Sequence, residues 1–114
     1  MNGKTQKTYP VRESLIFNLE SMHDKLFVME MDIEEGKLNF PFEVAGKTIN
    51  DWDDLEAIRE EADKLQWIAK SRKVTGKEYG RIKAIAEWRV MQRYARCLEA
   101  GMSEAQAGAC FADL

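Results

Sequence analysis

Residues 50–100 read NDWDDLEAIREEADKLQWIAKSRKVTGKEYGRIKAIAEWRVMQRYARCLEA. Two apolar series run through this stretch at helical spacing. Leu55, Ile58, Ala62, Leu65 and Ala69 recur at steps of three, four, three and four. Ala84, Trp88, Met91, Ala95 and Leu98 recur at steps of four, three, four and three. Residues three and four apart share a helix face, so each series draws one narrow stripe. Arg72–Gly76 interrupts the period between them. The pattern predicts two antiparallel helices joined by a short connection, with alanines in both stripes allowing close approach.

The punctuation around the stripes agrees with this. Asn50 or Asp51 is placed to cap the first helix, and Asp53, Asp54 and Glu56 crowd its first turns, where carboxylates favour the positive end of the helix dipole. Lys70, Arg72 and Lys73 put positive charge at the other end. Thr75-Gly-Lys-Glu78 has the form of a capping box, in which the hydroxyl and the carboxylate each satisfy a backbone donor that the helix start leaves over. Gly101 ends the second helix, and Ser103-Glu-Ala-Gln106 opens a short last one running to Leu114.

Towards the N-terminus, Met1 to Tyr9 has no periodicity and reads as a flexible arm. Pro10 suits the first turn of a helix, because its missing N–H would be unpaired there anyway. Val11, Leu15, Leu19, Met22 and Leu26 then follow at steps of four, four, three and four, predicting a helix from about Pro10 to Lys25. Ile16 and Phe17 lie off this stripe and widen the apolar surface. Leu26–Ile33 carries both periods. As a helix it extends the stripe through Met29 and Ile33; as a strand, Phe27, Met29, Met31 and Ile33 alternate with their neighbours. Glu34-Glu-Gly-Lys37 suits a hairpin turn with Gly36 in the left-handed region, and Leu38, Phe40, Phe42 and Val44 alternate beyond it, so a strand is the expectation. Pro41 points to an edge position. Ala45-Gly-Lys47 reads as a second turn, with Thr48–Ile49 as a short third strand. The fold class that results is α+β, a single domain over residues 10–114. It comprises an N-terminal helix, an antiparallel β-hairpin or short meander, then a C-terminal antiparallel helical hairpin with a short final helix.

The bulk composition, 45% hydrophobic and 32% charged, is that of a folded globular chain. Net charge is −3, from 17 Lys and Arg against 20 Asp and Glu. That balance argues against a general nucleic-acid binder, whose affinity rests on a positive field, though not against a local basic patch. No apolar run approaches the roughly 20 residues that span a bilayer, and residues 1–9 lack the apolar core of a signal peptide. The expected location is therefore cytoplasmic, with no membrane partner. Cys97 and Cys110 belong to no metal-binding spacing and read as reduced, mostly buried residues.

No motif carries catalysis, a metal or a cofactor. Gly46-Lys47-Thr48 resembles the tail of a phosphate-binding loop, but position 41, where that loop needs its first glycine, is proline. Asp51, Asp53 and Asp54 run straight into a helix and lack the glycine turn of a calcium loop. His23 is the single histidine, and no strand-to-helix elbow surrounds any candidate nucleophile. Twenty acidic residues offer carboxylate pairs, but no spacing singles one out. Arg93 to Leu114 has the outline of a helix-turn-helix. Its second helix, Glu104 to Leu114, contains no Lys or Arg to read bases, and Ala105, Ala107, Ala109 and Phe111 read instead as a lid over the helical hairpin.

Two surface features remain. Arg89, Arg93 and Arg96, spaced four and three, share one face of the second long helix, roughly opposite Met91 and Leu98. Arginine is the better residue for bidentate contact with carboxylate or phosphate. Acidic residues of the same chain, such as Glu30, Asp32 or Glu34, are the competing partners for them. Trp67 falls far from the Leu55–Ala69 stripe, among Glu56, Glu60, Asp63 and Lys70. A tryptophan ringed by charge has the composition of a protein-binding hot spot. Trp52, near the helix start, reads as a core or staple residue. The expected function is a small non-enzymatic protein-interaction domain using Trp67, Glu60, Asp63, Arg89, Arg93 and Arg96. Its partner would be a protein of unknown identity, with a second copy of the chain as one candidate. The profile is that of a phage or mobile-element accessory protein, including a stoichiometric inhibitor of a host protein. The alternative is a nucleic-acid-binding regulator using the Arg89/Arg93/Arg96 face.

Overall fold

The computed structural model describes residues 7–109. The chain runs β1 (Thr8–Tyr9), α1 (Glu13–Glu20), α2 (Met22–Glu34), β2 (Phe42–Val44), β3 (Lys47–Ile49), α3 (Trp52–Ser71), β4 (Val74–Thr75), α4 (Gly76–Glu99) and α5 (Glu104–Ala109). This is the α+β class: a helical N-terminal part, an antiparallel hairpin, two long helices and a short final one.

The N-terminal stripe is longer than the predicted helix. Leu15, Leu19, Met22, Leu26 and Met29 are all buried, and the helix continues to Glu34. The expectation of a strand over Leu26–Ile33 is therefore corrected. Phe27 and Met31, which made the alternation persuasive, lie four apart and are exposed on the outer side of α2. Gly36 does adopt positive φ (79°), but as a helix stop. The Lys37 N–H donates to the Asp32 carbonyl at 2.8 Å and the Gly36 N–H to Ile33 at 3.1 Å, the paired bonds of a Schellman cap. A glycine in the left-handed region serves a hairpin turn and a helix terminus equally well, so it could not discriminate between them. The helix is interrupted at Ser21. There the Ser21 hydroxyl donates to the Asn18 carbonyl at 2.9 Å and Asn18 Nδ2 donates to the Ser14 carbonyl at 2.7 Å. Such side chains compete with the helical ladder for its own groups.

The hairpin sits one turn later than the first of the two predicted. Phe42 pairs with Ile49 and Val44 with Lys47, across a two-residue turn in which Ala45 and Gly46 both have positive φ (51° and 82°). This is the pattern of a type I′ turn, whose twist matches that of the strands. Gly46-Lys47-Thr48 is thus the tip and return of a hairpin, not a phosphate loop. Val44, Ala45 and Ile49 are buried, and β3 packs on α3. Phe40 stacks on Phe42 and meets Trp52 edge-on at 5.8 Å between ring centroids, so Trp52 clamps the hairpin from the start of α3 while its own outer side stays exposed.

Residues 7–9 do not belong to a loose arm. Thr8 and Tyr9 pair with Thr75 and Val74, and the Tyr9 ring lies 5.6 Å from that of Tyr79. The break at Arg72–Gly76 is therefore a strand held by the N-terminal segment. Residues 1–6 lie outside those described.

The caps of the long helices are as expected. Asp51 accepts from the Asp54 N–H at 2.9 Å. At the start of α4, Thr75 Oγ1 accepts from the Glu78 N–H at 3.2 Å, and Glu78 Oε1 accepts from the Thr75 N–H at 2.9 Å. Gly101 (φ 95°) closes α4 with a second Schellman cap, and Ser103 and Gln106 cap α5 reciprocally. Ala105 is exposed, so α5 is no lid at that position. Phe111, Cys110 and the rest of the helix predicted to Leu114 lie outside the described residues.

One buried cluster joins α1, α2, the hairpin, α3 and α4. Leu55, Ile58, Ala62 and Leu65 of α3 are buried as their spacing predicted, with Ile68 added and Ala69 partly covered. The α4 stripe is corrected. Its buried residues are Ile82, Ile85, Ala86 and Val90, while Met91 is 59% exposed and Ala95 is exposed. Of the expected series, Trp88 packs partly on the core. The physical reason is α1, which makes the most extensive packing with both long helices. Because α4 rests chiefly on α1 and only to a lesser extent on α3, the face it must bury is turned away from the one that a direct α3–α4 seam would require.

Candidate functional site

The turn of α4 decides where its arginines go. Positions 89 and 93 continue the buried edge defined by Ile82, Ala86 and Val90, past the point where the apolar core ends. Arginine suits such a boundary, because its stem packs while its head stays wet. Arg89 and Arg93 are accordingly half-buried, and Arg96, one turn further, is exposed. Arg89 Nε donates to the Ser21 carbonyl at 3.3 Å, at the interruption between α1 and α2. The Arg93 guanidinium lies over the Phe17 ring of α1, 5.6 Å from its centroid, within the range of a cation–π contact.

Across from this edge stands α2. Asp24, Lys25 and Val28 line one wall of a cleft of about 80 Å³, and Arg89, Gln92, Arg93 and Arg96 line the other. The spacings explain the convergence, since 89, 92, 93 and 96 share one helical face, as do 24, 25 and 28. The three arginines predicted from sequence are thus brought together, and Lys25 joins them from another element. Burial, then the charges of Arg89 and Arg96, push Lys25 below the usual lysine range, against a weaker opposing pull from Asp32. Burial, then Arg93 and Arg96, likewise lower Arg89, opposed by Asp24. Of the carboxylates expected as competitors, Glu30 is taken by Arg59 of α3, and Asp32 acts on Lys25. Among the described residues, Lys25, Arg89 and Arg96 make no ion pair.

The second predicted feature lies on α3. Trp67 is 72% exposed, and Glu60 is exposed one face-length earlier on the same helix. Asp63 pairs with His23 of α2, with its side chain still about half exposed. Lys70 pairs with Glu20 of α1, holding that carboxyl below its usual range through a side-chain hydrogen bond. Between α3 and α1 runs a shallow groove lined by Glu13, Ile16, Phe17, Glu20 and Lys70. Phe17, 57% exposed, therefore belongs to the groove on one side and meets Arg93 on the other. It lies between that groove and the arginine edge of α4.

Lys25, Ile16 and Phe17 were not legible as site residues. Ile16 and Phe17 stood out only as apolar residues off the main stripe, and Lys25 carried no signal until α2 was placed beside α4. Among the described residues no group of His, Cys, Asp or Glu is arranged to hold a metal ion, and no helix is long and apolar enough to cross a membrane. Comparison with protein-family models, curated proteins and solved structures finds no match.

Proposed function

We propose that this chain is a small protein-interaction domain that acts by occupying a partner's surface, with Trp67, Phe17 and Arg93 as its anchors. The observation carrying the reading is a pair of exposed aromatics on two packed helices, Trp67 of α3 and Phe17 of α1, the second of which meets Arg93 of α4. Tryptophan and arginine are among the residues most enriched where binding energy concentrates. Glu60 and the Arg89/Arg96 edge supply the polar rim. An accessory protein or a stoichiometric inhibitor of a host protein is the role that fits a domain of this size. The test compares partner recovery by wild type, Trp67→Ala and Arg93→Glu, each first checked for native circular dichroism. Recovery should fall at least tenfold in both variants. Undiminished recovery in both would remove this surface.

A second reading, nucleic-acid binding through the arginine edge, is favoured by one specific observation, the addition of Lys25 to Arg89, Arg93 and Arg96. It expects duplex or single-stranded DNA to bind at low salt and to be released steeply as salt rises. Failure of both to bind in low salt would dismiss it.

A further inference from the structure

We infer that the cleft between α2 and α4 is a binding site for one compact dianionic oxyanion, a phosphate or phosphomonoester, held by Lys25, Arg89, Arg93 and Arg96. This goes beyond the interaction reading above and does not depend on it, since the site concerns a ligand that any of several carriers could present.

The charge is the first ground. The chain carries a net charge of −3, yet four cations line this cleft against one carboxylate, Asp24. Three of the four, Lys25, Arg89 and Arg93, come from half-buried positions, where water screens like charges poorly. Holding cations together in such a place costs stability unless something negative joins them. Among the described residues, Asp24 faces Arg89 and Asp32 acts on Lys25, and neither makes an ion pair with Lys25, Arg89 or Arg96. The depressed proton affinities of Lys25 and Arg89 report the same crowding.

Size and donor geometry narrow the ligand. A volume of about 80 Å³ exceeds the roughly 30 Å³ that one water occupies and falls well short of the ~300 Å³ at which pockets for drug-sized molecules begin. It has room for a single tetrahedral anion, with the rest of any larger carrier outside the cleft. Guanidinium forks match the paired oxygens of phosphate, an ammonium adds a point charge, and Gln92 offers an amide donor from the same wall. A lone carboxylate brings a single negative charge to Lys25, Arg89 and Arg96, whereas a phosphomonoester brings about −1.5 to −2 at neutral pH.

Calorimetric titration of the full chain with inorganic phosphate, at ionic strength fixed with sodium chloride, tests the site. Phosphate should bind saturably at one equivalent. Affinity should fall at least tenfold in Lys25→Gln and in Arg96→Gln, neither of which makes a structural ion pair, and should stay unchanged in Lys83→Gln, which lies on α4 outside the cleft. Two further probes separate the carriers. O-Phosphoserine amide should bind like phosphate, marking a site open to a phosphorylated side chain. If only inorganic phosphate binds, the site is a free-phosphate site and the inference still stands. Dimethyl phosphate, with its single charge, should bind at least tenfold more weakly. Heat indistinguishable from a chloride titration, affinity unmoved by both cleft variants, or equal binding of the diester would each overturn the inference.

Discussion

Arg81 of α4 reaches two other elements at once. Its Nε and Nη2 donate to the two oxygens of Glu61 on α3, at 2.9 and 2.6 Å, and its Nη1 donates to the Ala45 carbonyl at the hairpin turn, at 2.9 Å. Burial alone would raise the Glu61 carboxyl, but Arg81 and then Lys47 outweigh it and hold the group below its ordinary range. Arg81→Ala should cost about 2–3 kcal/mol in urea unfolding, because it strips a half-buried carboxylate and a turn carbonyl of their donors together. Arg81→Lys should recover only part of this, since an ammonium cannot span both oxygens and the carbonyl. A loss under 0.5 kcal/mol for Arg81→Ala would mean the tie is ornamental. The carbonyl it grips belongs to a turn with a definite requirement. A Cβ added at Gly46 would meet nothing within 4 Å, so Gly46→Ala isolates the backbone cost of its positive φ, about 1–2 kcal/mol.

The helices carry two predictions of their own. Glu78 closes the α4 capping box and also takes Arg72 bidentately, at 3.1 and 3.0 Å. Arg72, then the Thr75 backbone N–H, lower its pKa from 4.5 to about 2. The contribution of Glu78 is therefore complete above about pH 4.5 and is lost as pH falls towards 2. Glu78→Gln should be less stable than wild type at pH 7 and should show a smaller loss between pH 5 and pH 2 in denaturant titrations. Parallel pH profiles for the two proteins would contradict the cap. The rotation of α4 is tested by a pair of truncations. Ile85→Ala should cost about 2–5 kcal/mol and Met91→Ala no more than about 0.5, because only the first removes buried methyl groups. The reverse order would restore the stripe expected from sequence. That stripe misled for an identifiable reason. The helix ends, caps and the α3 stripe are local signals, and residues 50–101 displayed them. Which side of α4 is covered depends on α1, some sixty residues away, and Ala84, Trp88 and Met91 imitated a seam while Ile82, Ile85 and Val90 formed the real one. Leu26–Ile33 failed similarly: its residues satisfy both periods, and the choice was made by tertiary burial of Leu26 and Met29.

At the scale of the whole molecule, an acidic chain gathers positive charge in one place. The grouping of Arg89, Arg93 and Arg96 was legible because it lies on one helix at helical spacing. Its surroundings were not, because Lys25 and Phe17 reach it only through the packing of α1 and α2 against α4. Trp67 was legible as a residue off its stripe, and its exposure follows from having no element packed over that side of α3. The same placement sets Asp63 of the candidate contact set beside His23 of α2. Under the proposed interaction role, the exposed Trp67 of α3 and the cationic cleft between α2 and α4 are the two features that would meet a partner.

The convergence of α2 and α4 on one basic cleft is tested most directly by a ¹H–¹⁵N nuclear magnetic resonance titration with inorganic phosphate at constant ionic strength. The arrangement predicts shifts confined to residues 24–28 and 89–96, two segments far apart in sequence that saturate together, with the Trp67 indole unmoved. No shifts, or shifts scattered over lysines and arginines all around the molecule, would contradict it.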